Sequence, residues 1–252
     1  MIIELEKISN IRDLGGIVTA NGYQIKKARL IRSSALYSSS ISDAEKIINT
    51  YKVNNIVDFR STKEKNEKPH PKNLFPNINY YHIPVVDEVK HAVTRDKKSE
   101  YLIKTSSEGL SVDDAIKIIE NFYWGMPLWE SSQKTYRKFF EILLNNKNGS
   151  TLWHCSLGKD RAGIASVLIE YVLGVSYQNI LKDYLLTNNY LLNNIEKDKN
   201  NAFRVFYGVQ ESFLTSWHDS IKEKWGSLNL YIKNVLDMDE GKIDKLKSMY
   251  LE

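Results

Sequence analysis

His154-Cys155-Ser156-Leu157-Gly158-Lys159-Asp160-Arg161-Ala162-Gly163 is the stretch that decides the reading of this chain. Residues 151–154 ahead of it form a short apolar run that reads as a strand. Residues 162–173 behind it are apolar enough for a buried helix. A polar loop between strand and helix, at the carboxyl edge of an α/β sheet, is where such folds bind ligands. Successive amides in this loop would form a nest for an anion, and the helix start adds its positive dipole end. Arg161, six residues after Cys155, offers a planar fork to two phosphate oxygens. A helix amino terminus, an amide nest and an arginine all favour thiolate over thiol. A thiolate there can attack phosphorus and form a cysteinyl-phosphate. A lone cysteine is more commonly a small buried hydrophobe, but His154, Gly158, Lys159, Asp160, Arg161 and Gly163 around Cys155 argue for chemistry. His154 is expected to orient the loop through the backbone.

Outward from the loop, residues 55–59 read as a buried strand with polar groups at its end, namely Asp58, Arg60 and Ser61. Residues 80–86 read as another strand, ending at Asp87, and 28–33 as a third. Helical spacing covers 43–51, 112–124 and 136–144, and residues 177–250 are mostly amphipathic helix. The alternation predicts an α/β fold with a central, mostly parallel sheet flanked by helices, and a helical carboxyl half. One domain over 1–252 is expected. Residues 88–130, with Lys90, Arg95, Lys97, Lys98 and the aromatics Phe122, Tyr123, Trp124 and Trp129, read as a helical insertion. Those aromatics either cover the loop as a mobile lid or pack the insertion on the core.

Composition closes other doors. Of 252 residues, 42% are hydrophobic and 26% charged, which suits a folded core and argues against disorder. The excess of 35 Lys and Arg over 31 Asp and Glu is too small and scattered to argue for nucleic acid. One cysteine rules out an internal disulfide and a cysteine-cluster metal site. The five histidines lack metal-ligand spacing, and no Walker or dinucleotide loop is present, so neither metal nor cofactor is expected. Residues 1–9 show no secretory leader, and no run reaches the roughly 20 apolar residues of a membrane helix. Cytoplasmic placement is the expectation. Oligomeric state is not legible.

The loop resembles the signature of protein tyrosine phosphatases, and its Gly-Lys-Asp-Arg core resembles the bacterial tyrosine/serine branch of dual or triple specificity. Asn10-Ile11-Arg12-Asp13-Leu14-Gly15-Gly16 is similar to that branch's amino-terminal element, and residues 30–36 to its next block. Asp58-Phe59-Arg60-Ser61 with Glu64 and Pro69, and Asp183-Tyr184-Leu185-Leu186-Thr187-Asn188, resemble two further elements. The resemblance spans most of the chain, least at residues 88–130.

It implies that Cys155 is the nucleophile and Arg161 the phosphate clamp, with Ser156, Leu157, Gly158, Lys159 and Ala162 in the binding loop. Lys159 reads either as charge at the rim, able to meet a second anionic group, or as a solvated lysine. The acid that protonates the leaving oxygen is Asp87 or Asp160, unranked, with Asp58 in a supporting role. Arg12, Asp13 and Arg60 are expected to hold neighbouring loops. Ala162 departs from the pattern, since many tyrosine phosphatases carry Ser or Thr after the arginine. Its missing hydroxyl predicts slower breakdown of the phosphoenzyme. The substrate is a phosphorylated protein or a phosphoinositide. A catalytically weak phosphate-binding module and a sulfurtransferase are the competing classes. An intramolecular cysteine-relay reductase fails for want of a second cysteine.

Overall fold

The computed structural model describes residues 2–86, 110–192 and 201–252. At its centre is a five-stranded sheet in the order β1-β2-β5-β3-β4. The strands are β1 (Arg12–Asp13), β2 (Leu30–Ser33), β3 (Val53–Asp58), β4 (Asn79–His82) and β5 (Ser150–His154). All pairs are parallel except β1 with β2. β1 is too short to show in the sequence. β4 is shorter than the expected 80–86 strand: Pro84 has no N–H to donate, and chain pairing ends near it.

Side chains alternate across the central strands. Ile31, Ile56 and Leu152 point to one apolar cluster, with Leu36, Ala44, Ile47 and Phe75. Leu30, Val57 and Trp153 point to the other, larger one. Covering both faces explains why the strands read as continuous apolar runs.

On the smaller side lie α1 (Ile41–Glu45), which runs on through a π-helical turn at Lys46–Thr50, and α2 (Thr62–Glu67). Both helices start with a capping box, Ser40 with Asp43 and Ser61 with Glu64. The larger cluster is built by α3 (Val112–Gly125), α4 (Glu130–Asn145), α5 (Arg161–Val172) and α6 (Tyr177–Leu191). Then come α7 (Asn201–Tyr207), α8 (Glu211–Trp225), α9 (Leu228–Asn234) and α10 (Glu240–Tyr250). α5 is buried on nearly every face, as its mostly apolar sequence predicts. Phe139 of α4 stacks edge-on against Phe59 and Trp153 and fixes that helix to the sheet.

Of the span 88–130, residues 110–130 are described. They contain α3, which packs along α7 and α8. Tyr123 is fully buried, and Phe122 meets Trp129 edge to face at 5.4 Å. Among the described residues, no helix is long and apolar enough to cross a membrane.

Candidate active site

Parallel pairing brings Ser33, His154 and Asp58 into register at the carboxyl edge of the sheet, with His82 beside Asp58. β5 ends there and the chain turns through 155–160 into α5. The loop is held from outside, carbonyl by carbonyl. The Cys155 carbonyl lies 3.1 Å from His154 Nδ1. The Ser156 carbonyl accepts from Ala35 N at 3.1 Å, the Leu157 carbonyl from Asn10 Nδ2 at 2.9 Å, and the Gly158 carbonyl from Arg32 Nη2 at 2.7 Å. In a planar trans peptide the N–H points opposite to the C=O. Four carbonyls drawn outward therefore turn the amides of Ser156, Leu157, Gly158 and Lys159 to the concave side, where an oxyanion would sit. Gly158 has φ of +71°, and any Cβ there would strike the Ser33 backbone.

Cys155 is buried at the head of this loop. Arg161 opens α5 and is forked onto Glu64, Nη1 to Oε2 at 2.6 Å and Nη2 to Oε1 at 2.9 Å. Ser156 Oγ also donates to Glu64 Oε1. Burial pushes Glu64 up, but the Arg161 charge and hydrogen bonds from Arg161, Ser156 and the Ser61 amide outweigh it and bring it down to about 2. The guanidinium is thus fixed in one plane before any substrate arrives.

His154 is fully buried, and burial lowers its pKa against the pull of Asp58. Nδ1 donates to the Cys155 carbonyl, as the sequence suggests. Asp58 does not enter the loop. It grips Arg60 through Nε at 2.9 Å and Nη2 at 2.6 Å, and accepts from Tyr80 Oη at 2.6 Å. Burial pushes Asp58 up, while His154, Arg60 and Tyr80 together hold it well below the usual carboxylate range. Arg60 donates in turn to the Lys68 carbonyl at 2.7 Å, which anchors the end of α2 and so the placement of Glu64. Asp13 shapes a turn by accepting from the Gly15 and Ala28 amides at 2.8 and 2.7 Å. Arg12 lies behind the loop on Asp183, with Nε to Oδ1 at 2.8 Å.

Lys159 departs from both sequence expectations. It is 1% exposed rather than at a solvated rim. Its ammonium lies 2.6 Å from Asp160 Oδ1 and 3.3 Å from the Gly208 carbonyl, so the carboxyl half of the chain folds over it. Asp160 Oδ1 also accepts from Tyr123 Oη at 2.9 Å, and Tyr123 from Tyr184 Oη at 2.8 Å. Ala162 is fully buried, its carbonyl accepting from Trp153 Nε1 at 3.1 Å. Asp87 lies outside the described residues. Sequence reasoning gave no role to Glu64, Asn10, Arg32, Asp183 or Tyr184, and placed Tyr123 only among the aromatics of the insertion. Glu64 stood in the sequence only beside the Asp58-Phe59-Arg60-Ser61 element, and nothing there paired it with Arg161. Among the described residues no group of three His, Cys, Asp or Glu side chains could hold a metal ion.

A cysteine at the head of an amide-lined anion loop, followed by a clamped arginine on a parallel α/β sheet, defines a cysteine-dependent phosphatase. The chain belongs to the tyrosine phosphatase family, whose profile matches residues 3–252. It is 28% identical over 260 residues to a Cupriavidus necator protein provisionally named a tyrosine-protein phosphatase, covering 99% of this chain and 88% of that one. It is 22% identical over 284 residues, and 98% of each chain, to the triple specificity protein phosphatase PtpB of Mycobacterium tuberculosis. Among solved structures, the core catalytic domain of the PP-IP phosphatase SIW14 from S. cerevisiae, in complex with citrate, aligns over 91% of this chain and 99% of that one. The TM-score is 0.39 and the identity 15%.

Proposed function

We propose that the chain hydrolyses phosphotyrosine in proteins, with Cys155, Arg161 and Asp160 as its reacting groups. The Cys155 thiolate attacks phosphorus while Arg161 and the loop amides bind the three non-bridging oxygens. The phosphorus–oxygen bond to the leaving group breaks, and Asp160 supplies the proton that oxygen needs. Water then attacks the cysteinyl-phosphate, the thiolate departs and inorganic phosphate leaves.

The observation that carries this reading is the Glu64–Arg161 fork beside a buried cysteine with four successive loop carbonyls, 155 to 158, turned outward. It is an oxyanion site prepared in advance, so little reorganisation is left for the reaction. The protein reading over the phosphoinositide reading is supported by Lys159. A basic mouth for an inositol polyphosphate needs accessible charge, and this lysine is engaged with Asp160 and the Gly208 carbonyl. The triple specificity name of the mycobacterial relative supports testing more than one kind of phosphoprotein substrate.

The test is phosphate release from phosphotyrosine peptides, phosphoserine peptides and phosphoinositides, with chelator present, for the native chain and Cys155→Ser. Cys155-dependent turnover, fastest on phosphotyrosine, is expected. Faster turnover of a phosphoinositide overturns the substrate assignment. Vanadate binding without turnover would make the chain a binding module. Asp160→Asn is expected to lose the limb of the pH–rate profile that reports proton donation. If Asp87→Asn loses that limb instead, the acid is Asp87.

A further inference from the structure

Asp183-Tyr184-Leu185-Leu186-Thr187-Asn188 lies on α6, outside the loop, and the chemistry above leaves it without work. Yet hydrogen bonds behind each of residues 157–160 lead to it. Asp183 takes Arg12 by Nε at 2.8 Å and Nη2 at 3.1 Å. Arg12 donates to Asn10 Oδ1 at 2.7 Å, and Asn10 Nδ2 holds the Leu157 carbonyl. Asp183 Oδ2 also takes Arg32 Nη1 at 3.2 Å, and Arg32 Nη2 holds the Gly158 carbonyl. The next residue, Tyr184, reaches Asp160 through Tyr123. Thr187 Oγ1 accepts from Arg12 at 3.3 Å. Asn188 bonds both backbone groups of Val209, at 2.8 and 2.9 Å, and so sets the neighbouring Gly208 carbonyl that receives Lys159. Residues 183, 184, 187 and 188 share one face of a helix, and that face touches loop residues 157 to 160 in turn, each through one or two intermediaries.

We infer that α6 positions the phosphate loop, with Asp183 as its principal positioning residue. Asp183 touches no reacting atom. It fixes two guanidinium groups, and these decide which way two loop peptides face. The network is buried: Arg12, Arg32 and Asp183 are 1%, 0% and 6% exposed, and of the two guanidinium groups only Arg32 Nε lacks a hydrogen-bond partner. A buried ion-pair network with nearly all its polar groups bonded rigidifies what it touches. The inference rests on the phosphatase reading for its kinetic consequence, but its structural consequence stands apart.

Electrostatics alone and positioning predict opposite results, which makes Asp183→Asn informative. Removing the carboxylate leaves Arg12 and Arg32 less neutralised beneath the loop. If charge were all that mattered, an anion would bind more tightly. If Asp183 positions the loop, the freed peptides lose their alignment and the anion binds more weakly.

The experiment compares the native chain, Asp183→Asn and Asn10→Gly. Asn10 has φ of +50°, which glycine adopts without strain, so that variant removes the one side chain that bridges Arg12 to the Leu157 carbonyl. The measurements are melting temperature, orthovanadate inhibition, kcat and KM with p-nitrophenyl phosphate, and amide hydrogen exchange of residues 155–161. Asp183→Asn is expected to bind vanadate at least tenfold more weakly and to exchange its loop amides at least tenfold faster. Asn10→Gly is expected to show the same pattern at about threefold. Native-like exchange together with unchanged or tighter vanadate binding in a folded Asp183→Asn overturns the inference. If Asp183→Asn fails to fold, Asn10→Gly decides by the same criteria. A native chain without turnover refutes the proposed function, whereas the exchange readout still decides the positioning role.

Discussion

Ala162 sits in the first turn of α5 with no exposed surface, directly after Arg161, the proposed phosphate clamp. A hydroxyl at that place can support the thiolate as it leaves the cysteinyl-phosphate. Ala162→Ser is expected to shorten the intermediate's life by about tenfold, roughly 1.4 kcal/mol. Rapid mixing should show a burst of leaving group in the native chain and a much smaller one in the variant. Glu170, under the loop, carries the opposite kind of lesson. Burial and the neighbouring Asp183 raise its pKa well above the ordinary 4.5, against the pull of Arg32 and Arg12. The folded chain therefore keeps a proton there that the unfolded chain releases above about 4.5. Stability must fall as pH rises from that point. Glu170→Gln, which is neutral at every pH, is expected to flatten the melting temperature between about pH 5 and pH 8 and to exceed the native chain at the upper end. No periodicity argument could have found this residue. In sequence it is one acidic letter in an apolar helix, and only the fold sets it against Asp183 and two arginines.

At the scale of elements, α2 matters through one residue. Its capping box fixes Glu64 at the third helical position, and Asp58 through Arg60 anchors its far end at Lys68. Glu64→Gln leaves Arg161 buried without its counter-charge, a change that costs about 3–5 kcal/mol. A fall in kcat/KM of at least tenfold should accompany it, because the guanidinium loses its plane. The acid dependence has a definite sign. Glu64 is lowered from 4.5 to about 2, so its stabilisation is complete above about 4.5 and is lost as pH falls towards about 2. The stability gap between native chain and variant should close over that window in denaturant titrations. Elements with strong local signals were legible: β3, β5, α3 and α5 lie within a residue or two of expectation. α4 starts at Glu130, several residues before the periodic stretch 136–144, because its first turns are polar and only Ser132 and Thr135 turn inward. The Cys155–Arg161 loop was legible because its chemistry is local in sequence. Its supports were not, since they arrive from residues 10, 32, 64 and 183, and only pairing across the sheet joins them.

The whole molecule separates catalysis from closure along the sheet. The proposed reacting groups lie at the carboxyl edge. At the amino edge residues 24–26 meet residues 250–252. Gln24 and Glu252 exchange backbone hydrogen bonds at 2.8 and 2.9 Å, and Lys26 N donates to the Tyr250 carbonyl at 2.8 Å. Tyr250 is fully buried, donates its hydroxyl to the Leu143 carbonyl at 2.9 Å, and lies under the Arg29 guanidinium at 5.0 Å. One side chain therefore joins α10, the end of α4 and the start of β2. Burial raises its pKa to about 12 against the pull of Arg29, so the ring stays neutral at ordinary pH. The four or five residues of β2 and β5 put roughly 13–16 Å between this clasp and the phosphate loop. Substitutions that far apart, with no shared partner, act independently. Tyr250→Ala should cost about 3–5 kcal/mol through the cavity and the orphaned carbonyl. Its kcat and KM, measured well below the new melting temperature, should stay within about twofold of native. Tyr250→Phe keeps the ring and loses only the hydrogen bond, about 1 kcal/mol. A Tyr250→Ala chain that melted normally would show the clasp to be idle. One that stayed folded but lost turnover would show that strain at the amino edge reaches the loop through β2, whose last residues flank Arg32 and the Gly158 carbonyl.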